Sequence, residues 1–370
     1  MALSSTTSTK QTFQLVCQKI ETETHDVKTF IFSIPSSQTQ GYFNYCAGQH
    51  LNFTLDIAGE MKNCCYTLSS SPATPDYVSI TIKRIPQGTV SNYFHDDFKV
   101  GQSIVVQQVA GSFYLSESVP DKVLLISAGS GITPMLSMLR FMVAKNCSNQ
   151  VIFVHSAKQE KDLIAQAEIS KLARKHGDCQ VMYTLTQSSS SHWLGFKGRL
   201  NEQMLHSIEQ LSDYQTFVCG PKSFRKTVQV LLCKLGLQQK NYHYESFGDH
   251  EYSKEKSPGM KEDNKIATPV IESQPVRPQN SKTKISIHFS RWNKQYQGNK
   301  QDSLLEQGEA AGLILPYSCR GGCCGSCKAK LISGQVHQNS TDGLSASEQQ
   351  QGYILLCSCI ALTDVEISHE

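Results

Sequence analysis

Between residues 13 and 115, apolar and polar positions alternate with period two in short runs. Thr29-Phe-Ile-Phe-Ser-Ile34, His50-Leu-Asn-Phe-Thr-Leu55, Val78-Ser-Ile-Thr-Ile-Lys83 and Ser103-Ile-Val-Val-Gln107 are the clearest. Alternation punctuated by Gly and Pro predicts antiparallel strands, and several at close spacing predict a small barrel. After residue 118 the pattern changes. Val123-Leu-Leu-Ile126, Val151-Ile-Phe-Val154, Val181-Met-Tyr-Thr184 and Thr216-Phe-Val-Cys219 are unbroken apolar runs, separated by helix-length stretches such as Thr133 to Ala144 and Asp162 to His176. Short buried strands alternating with helices predict a parallel sheet covered by helices. Residues 249–281 are charged, contain Pro and have few large apolar groups, which reads as a linker. From Thr283 alternation resumes through Ile285, Ile287 and Phe289.

The expected organisation is therefore a polar, Ser/Thr-rich lead (1–12), a β-barrel (13–117), an α/β domain (118–248), a linker (249–281) and a third, α+β domain (282–370). A chain of 370 residues has room for these cores. The net charge of +3 gives no strong pull toward nucleic acid or an anionic membrane. No apolar run reaches the length of a membrane helix, and the lead lacks the apolar core of a secretion signal. The fourteen cysteines are then expected to stay reduced, in the cytoplasm.

Cysteine spacing brings in the first candidate chemistry. Cys319, Cys324 and Cys327 follow the pattern C-x4-C-x2-C in Tyr317-Ser-Cys-Arg-Gly-Gly-Cys-Cys-Gly-Ser-Cys-Lys328, and Cys357 follows further on. This is the spacing with which plant-type ferredoxins hold a [2Fe–2S] cluster, at about −400 mV. Iron–sulfur clusters take soft thiolate ligands, and Gly321, Gly322 and Gly325 let the intervening loop aim N–H groups at sulfur. Clustered cysteines also bind zinc, but zinc knuckles favour paired C-x2-C hooks and this loop has one. Cys323 and Cys359 fall outside the spacing.

Three further stretches suggest nucleotide chemistry. In Asn63-Cys-Cys-Tyr-Thr-Leu-Ser-Ser-Ser-Pro72, Tyr66 and Thr67 offer an aromatic face and a hydroxyl to a flavin ring, followed by Leu68 and Ser69. In Lys83 to His95, the turn with Gly88, Val90 and Ser91 offers backbone N–H groups to phosphates. A Tyr-Thr pair in a strand is by itself usually the product of β-propensity alone. In Leu124-Leu-Ile-Ser-Ala-Gly-Ser-Gly-Ile-Thr-Pro-Met135, Gly129, Ser130, Gly131, Ile132, Thr133 and Pro134 form G-x-G-x-x-P at the start of a helix. Glycines admit a pyrophosphate to the backbone, the helix N-terminus attracts its charge, and Pro134 suits a first turn. Cys219-Gly220-Pro221 ends a later strand.

In this order the motifs resemble the ferredoxin–NADP reductase superfamily. The resemblance implies an FAD-binding barrel, a nicotinamide domain framed by G-x-G-x-x-P and C-G-P, and a β-grasp-like ferredoxin domain holding [2Fe–2S] through Cys319, Cys324, Cys327 and Cys357. The family's R-x-Y-[ST] motif is matched by Tyr66 and Thr67, but Cys64 stands at the Arg that clamps the flavin phosphate. Arg84 is the expected substitute. Ser91, where FMN-binding relatives carry Arg, points to FAD. Gly48-Gln49-His50 is similar to a family turn that flanks the flavin. Asn241 to Gly248 resembles the E-x-F-G ending of flavohaemoglobin reductase modules and carries to Phe247 a place beside the flavin ring. Ser156 and Lys158 are thin provision for a 2′-phosphate, so NADH is expected, with NADPH open.

Nearly the whole chain after residue 12 is similar to the NADH oxidoreductases of the hybrid-cluster protein. That implies an NAD(P)H-dependent reductase whose partner is hybrid-cluster protein, in nitric oxide or hydroxylamine reduction. Reductase components of Rieske-type oxygenases or desaturases share the module order and are the alternative. A flavin-free redox-sensing protein, suggested by Cys64 and Cys65, is a third possibility of another class.

Overall fold

The computed structural model describes residues 13–34, 44–74, 76–187, 190–245, 270–272, 284–313, 315–317, 322, 325–341 and 343–368. The chain divides into two compact units, Met1–Ser246 and Phe247–Glu370.

The first unit opens with strands β1 (Phe13–Thr24), β2 (Val27–Ser33), β3 (His50–Ile57), β4 (Glu60–Thr67), β5 (Tyr77–Lys83) and β6 (Ser103–Ala110), with helix α1 (Thr89–Asp96) between the last two. They form one antiparallel sheet in the order β4-β3-β6-β1-β2-β5. Leu68, next after β4, bridges Ile80 of β5, and the Ser69 amide donates to the Ser79 carbonyl at 2.8 Å. The two edge strands thus meet and the barrel closes, which removes its exposed edges. Alternate residues fill the interior: Phe30, Phe32 and Phe53 are fully buried, joined by Phe94 and Phe98 from α1 and the turn after it.

The same unit continues with β7 (Lys122–Ala128), α2 (Ile132–Ala144), β8 (Gln150–Ala157), α3 (Gln166–His176), β9 (Cys179–Leu185), β10 (Phe196–Lys197), α4 (Glu202–His206), β11 (Gln215–Cys219), α5 (Lys222–Lys234) and β12 (Tyr242–Glu245). All strand pairs are parallel, in the order β10-β9-β8-β7-β11-β12. Both faces of β7 are covered. Val123 and Leu125 pack with α2 residues, while Leu124 and Ile126 pack with Met204 of α4 and Val228 and Leu232 of α5. This is why its sequence is a continuous apolar run rather than an alternating one. The predicted helix from Asp162 begins later, at Gln166. Leu163 and Ile164 are buried, and Ala165 has φ of 52°, which breaks a helix running back to Asp162.

The second unit contains β13 (Val270–Glu272), β14 (Ile285–Phe289), β15 (Lys294–Gly298), α6 (Leu304–Ala310), β16 (Lys328–Ser333), β17 (Gln335–Gln338), α7 (Ala346–Gln350), β18 (Tyr353–Leu355), β19 (Cys359–Ala361) and β20 (Val365–Ser368). The main sheet runs β15-β14-β20-β16-β18, with a smaller sheet β13-β17-β19. Ile285, Ile287 and Phe289 turn inward onto Leu304 and Leu305 of α6. The stretch read as a linker contributes β13, paired in parallel with β17.

Candidate functional site: two nucleotide turns and a thiol pair

The parallel sheet reverses its build direction at β7. The chain adds β8, β9 and β10 on one side, then β11 and β12 on the other. In open α/β sheets ligands bind at such a switch point, outside the carboxyl ends of the strands. Gly129–Pro134 leaves the end of β7 and Cys219–Pro221 leaves the end of β11, so both sequence motifs converge there. Their approach is close. A Cβ on Gly131 would lie 2.4 Å from the Cys219 carbonyl oxygen, and one on Gly220, with φ of +158°, would lie 2.8 Å from the Phe224 ring. Ile132, Thr133 and Pro134 turn their side chains into the protein. The Thr133 hydroxyl donates to the Ser130 carbonyl at 3.1 Å. The turn therefore presents backbone to a ligand. The Gly129–Gly131 turn that leads into helix α2 has no side-chain cap and no acidic residue, so its amides, at the positive end of the helix, suit a pyrophosphate. Arg225 Nε donates to the Gly220 carbonyl at 3.0 Å, and its guanidinium lies 5.5 Å from the centre of the Tyr244 ring. The second turn is thereby tied to β12. Phe247 lies outside the described residues. Ser156 is buried and Lys158 exposed at the end of β8.

In the barrel, Tyr66 stacks on Phe53 at 6.0 Å between ring centres, and Thr67 is 7 % exposed. Burial pushes the Tyr66 phenol far up, so it stays protonated. Leu68 and Ser69 are fully buried in the seam. The Ser69 hydroxyl joins a ladder to Ser79 Oγ at 2.9 Å and Thr81 Oγ1 at 3.0 Å. His50 packs against the Gly111 backbone, where a Cβ would come 2.8 Å from its Nδ1.

Cys64 faces the barrel interior and burial raises its thiol to about 12. A neutral, buried thiol is no counterpart for an arginine on a phosphate. Arg84 forks onto Asp96 at 2.8 and 2.5 Å and donates to Asn92 at 3.1 Å. The adjacent turn ends at α1, which has no side-chain cap and no acid in its first turn, so the Thr89, Val90 and Ser91 amides suit an anion. Ser91 Oγ accepts from the Ile85 amide at 3.1 Å, and a Cβ on Gly88 would come 2.7 Å from that oxygen.

In the second unit, Cys327 precedes β16 and Cys357 follows β18, and these strands pair through Lys328 and Leu355. The pairing brings the two sulfurs to 3.1 Å. Gly322 N–H donates to Cys357 Sγ at 3.2 Å, and the Cys357 amide to Cys327 Sγ at 3.4 Å. Gly322 and Gly325 have φ of +79° and +73°; a Cβ would come 2.8 Å from Ser358 at the first and 2.9 Å from the Gly343 carbonyl at the second. Two adjacent sulfurs with amides aimed at them fit neighbouring ligands of an iron–sulfur cluster. Cys319, Cys323 and Cys324 lie outside the described residues. Cys359 is buried and its thiol donates to Gln338 Oε1 at 3.3 Å.

Comparison with known proteins assigns the modules. Residues 14–114 match the oxidoreductase FAD-binding domain, 125–230 the oxidoreductase NAD-binding domain and 289–362 the 2Fe-2S iron-sulfur cluster binding domain. The chain is 32 % identical to the glycine betaine monooxygenase reductase subunit of Pseudomonas aeruginosa, across 95 % of this chain and 94 % of that one. It is 30 % identical to the stachydrine N-demethylase reductase subunit of Rhizobium meliloti, across 95 % of each. Phthalate dioxygenase reductase has the same fold, with a TM-score of 0.56 and 20 % identity over 96 % of this chain and 97 % of that one.

These relatives correct one expectation. They are named as the reductase subunits of a monooxygenase and of an N-demethylase, and neither is named as a reductase of hybrid-cluster protein. The motifs that suggested that family fall within the cofactor-binding domains, which these relatives share along nearly their full length. Among the described residues no helix is long and apolar enough to cross a membrane.

Proposed function

Because the chain belongs to the ferredoxin–NADP reductase superfamily, as a three-domain FAD, NAD and [2Fe–2S] oxidoreductase, we propose that it is the reductase component of an oxygenase. The observation that carries this reading is near-full-length similarity to the reductase subunits of a glycine betaine monooxygenase and of a stachydrine N-demethylase. When bound, FAD and the cluster supply the redox chemistry, taking in electrons as a pair and passing them on singly.

The chain's own part is to bind, orient and tune. The Gly129–Gly131 turn and the first amides of α2 hold the dinucleotide pyrophosphate, with Cys219–Pro221 beside the nicotinamide. Tyr66 and Thr67 line the flavin ring and Phe247 flanks it. The first-turn amides of α1 take the flavin phosphate, with Arg84 adding positive charge nearby. Cys319, Cys324, Cys327 and Cys357 ligate the irons. The scattered histidines take no part as acids or bases. His155, fully buried against Ser127 Oγ at 2.9 Å, is held neutral with its pKa lowered to about 3 by burial.

The test is the acceptor. With NADH as donor, the protein should reduce an oxygenase component of the kind its relatives serve, and that oxygenase should turn over only when both are present. Efficient transfer to hybrid-cluster protein, with none to any oxygenase, would reverse the assignment.

A further inference from the structure

Beyond its first turn, helix α2 carries two polar side chains, Ser137 and Arg140, on an otherwise apolar surface. Ser137 Oγ donates to the Ser70 carbonyl at 2.6 Å and accepts from the Gly48 amide at 3.3 Å. One turn further on, Arg140 Nη1 donates to the Ser69 carbonyl at 2.6 Å. Its Nε and Nη2 fork onto Glu168 of α3 at 2.8 and 2.7 Å. Ser69, Ser70 and Ser137 are fully buried and the Arg140 side chain is 16 % exposed.

The partners are not arbitrary. Ser69 and Ser70 continue the segment that holds Tyr66 and Thr67, and Gly48 belongs to the Gly-Gln-His turn. Helix α2 itself starts at the Gly129–Gly131 turn. One rigid rod therefore meets the pyrophosphate turn at its first residue and the flavin segment at its middle. A buried ion pair contributes little to net stability compared with apolar side chains of similar volume. A planar fork does, however, fix direction and distance as an apolar contact cannot.

Resting on the reductase reading above, we propose that Arg140, Ser137 and Glu168 are positioning residues for hydride transfer. They set the spacing between flavin segment and pyrophosphate turn without touching either cofactor. In the step they serve, the hydride leaves nicotinamide C4 with both electrons of its bond and joins flavin N5. The nicotinamide is oxidised, the flavin is reduced, and no other reactant is needed. Displacing the acceptor by about 1 Å is enough to slow such a step on the order of 10²-fold.

The test uses the holoprotein and the variants Arg140→Met, Arg140→Lys and Glu168→Gln under anaerobic rapid mixing with NADH. In Arg140→Met, flavin bleaching at saturating NADH should slow on the order of tenfold to a hundredfold. The NADH concentration giving half the maximal rate should move by less than about twofold, the mark of an interaction felt mainly in the transition state. FAD content, iron content and reduction by dithionite should match wild type. Arg140→Lys should recover part of the rate, and Glu168→Gln should fall between. In nucleotide-free protein, amide hydrogen exchange over residues 68–74 should quicken in Arg140→Met.

Wild-type bleaching in both Arg140→Met and Glu168→Gln overturns the inference. So does slowing that comes with FAD loss or with equally slow dithionite reduction, since the contact would then be merely structural. If Arg140→Met does not fold, Glu168→Gln decides, its side chain being 39 % exposed. A wild-type protein that NADH cannot bleach would sink the reductase reading and this inference with it; if wild type bleaches, only the inference is at stake.

Discussion

The switch-point turns and the thiol pair both place groups for a cofactor, with opposite materials. At the switch point the fold does the placing. Gly131 is pressed against the Cys219 carbonyl, β7 is buried on both faces, and the site exposes backbone rather than side chains. Around Cys327 and Cys357, strand pairing brings two sulfurs together, and the chemistry lies in the side chains. A dinucleotide is held by many weak contacts, so the protein must build its cradle in advance. A cluster is held by a few strong bonds, so binding it is itself part of folding the loop. Substitutions should therefore act differently in the two regions: graded at the turns, all-or-none at the thiols.

The largest effect is expected at Cys357. Cys357→Ser should abolish cluster absorbance and transfer to a protein acceptor, while NADH still reduces the flavin and, through it, ferricyanide. Retention of a full complement of iron and sulfide would mean that Cys357 is not a ligand. Next is Gly131→Ala. Its methyl group must displace the Cys219 carbonyl, so NADH-driven flavin reduction should fall on the order of 10²-fold, with iron and FAD contents unchanged. A near-normal rate would show that the two turns can separate without harm, and that the cradle is less rigid than its packing implies.

Arg84→Glu addresses a third, weaker case. Arg84 is half-buried and paired with Asp96, while in the proposed site the α1 amides would act on the phosphate through backbone. Charge reversal should cost about tenfold in FAD affinity. Unchanged flavin content on dilution would remove Arg84 from the phosphate site.

The smallest effect concerns acid. Lys328, and after it the amide and hydroxyl of the Ser345 cap, hold Glu348 down to about 2, against about 4.3 in an unfolded chain. A depressed carboxyl contributes stability above its unfolded value and loses it as the pH falls toward the folded one. The stability gap between wild type and Glu348→Gln, followed by circular dichroism of the whole chain, should be full at neutral pH and narrow below about pH 4.3. A gap that does not depend on pH would place the effect in the cap's geometry rather than its charge.

What the sequence disclosed was local. Period-two alternation marked β2, β3 and β5, and the double-faced apolar run marked β7, because burial imprints one residue at a time. The spacing from Cys319 to Cys327 and the order of Gly129, Gly131 and Pro134 were readable because their chemistry is set by neighbours in the chain. Pairings between distant segments were not. Arg140 and Ser69 are 71 residues apart, and the one trace of their contact in the sequence is a pair of polar residues, Ser137 and Arg140, interrupting an apolar helix. Strand β13 is three residues long, too short to show a period, and was absorbed into a linker. The start of α3 was misplaced because the turn at Ala165 carries no Gly or Pro to announce it. The acceptor was not legible because the cofactor motifs are common to reductases with different partners.

The central claim is that reduced nicotinamide feeds a flavin that in turn feeds a two-iron cluster. Its most direct measurement is an anaerobic NADH titration of purified holoprotein, with absorbance recorded in the flavin and iron–sulfur regions and iron, acid-labile sulfide and FAD assayed on the same sample. The account predicts one FAD, two irons and two sulfides per chain, with both chromophores bleaching as NADH is consumed. Zinc in place of iron, or a flavin that bleaches while an intact cluster stays oxidised, would contradict it.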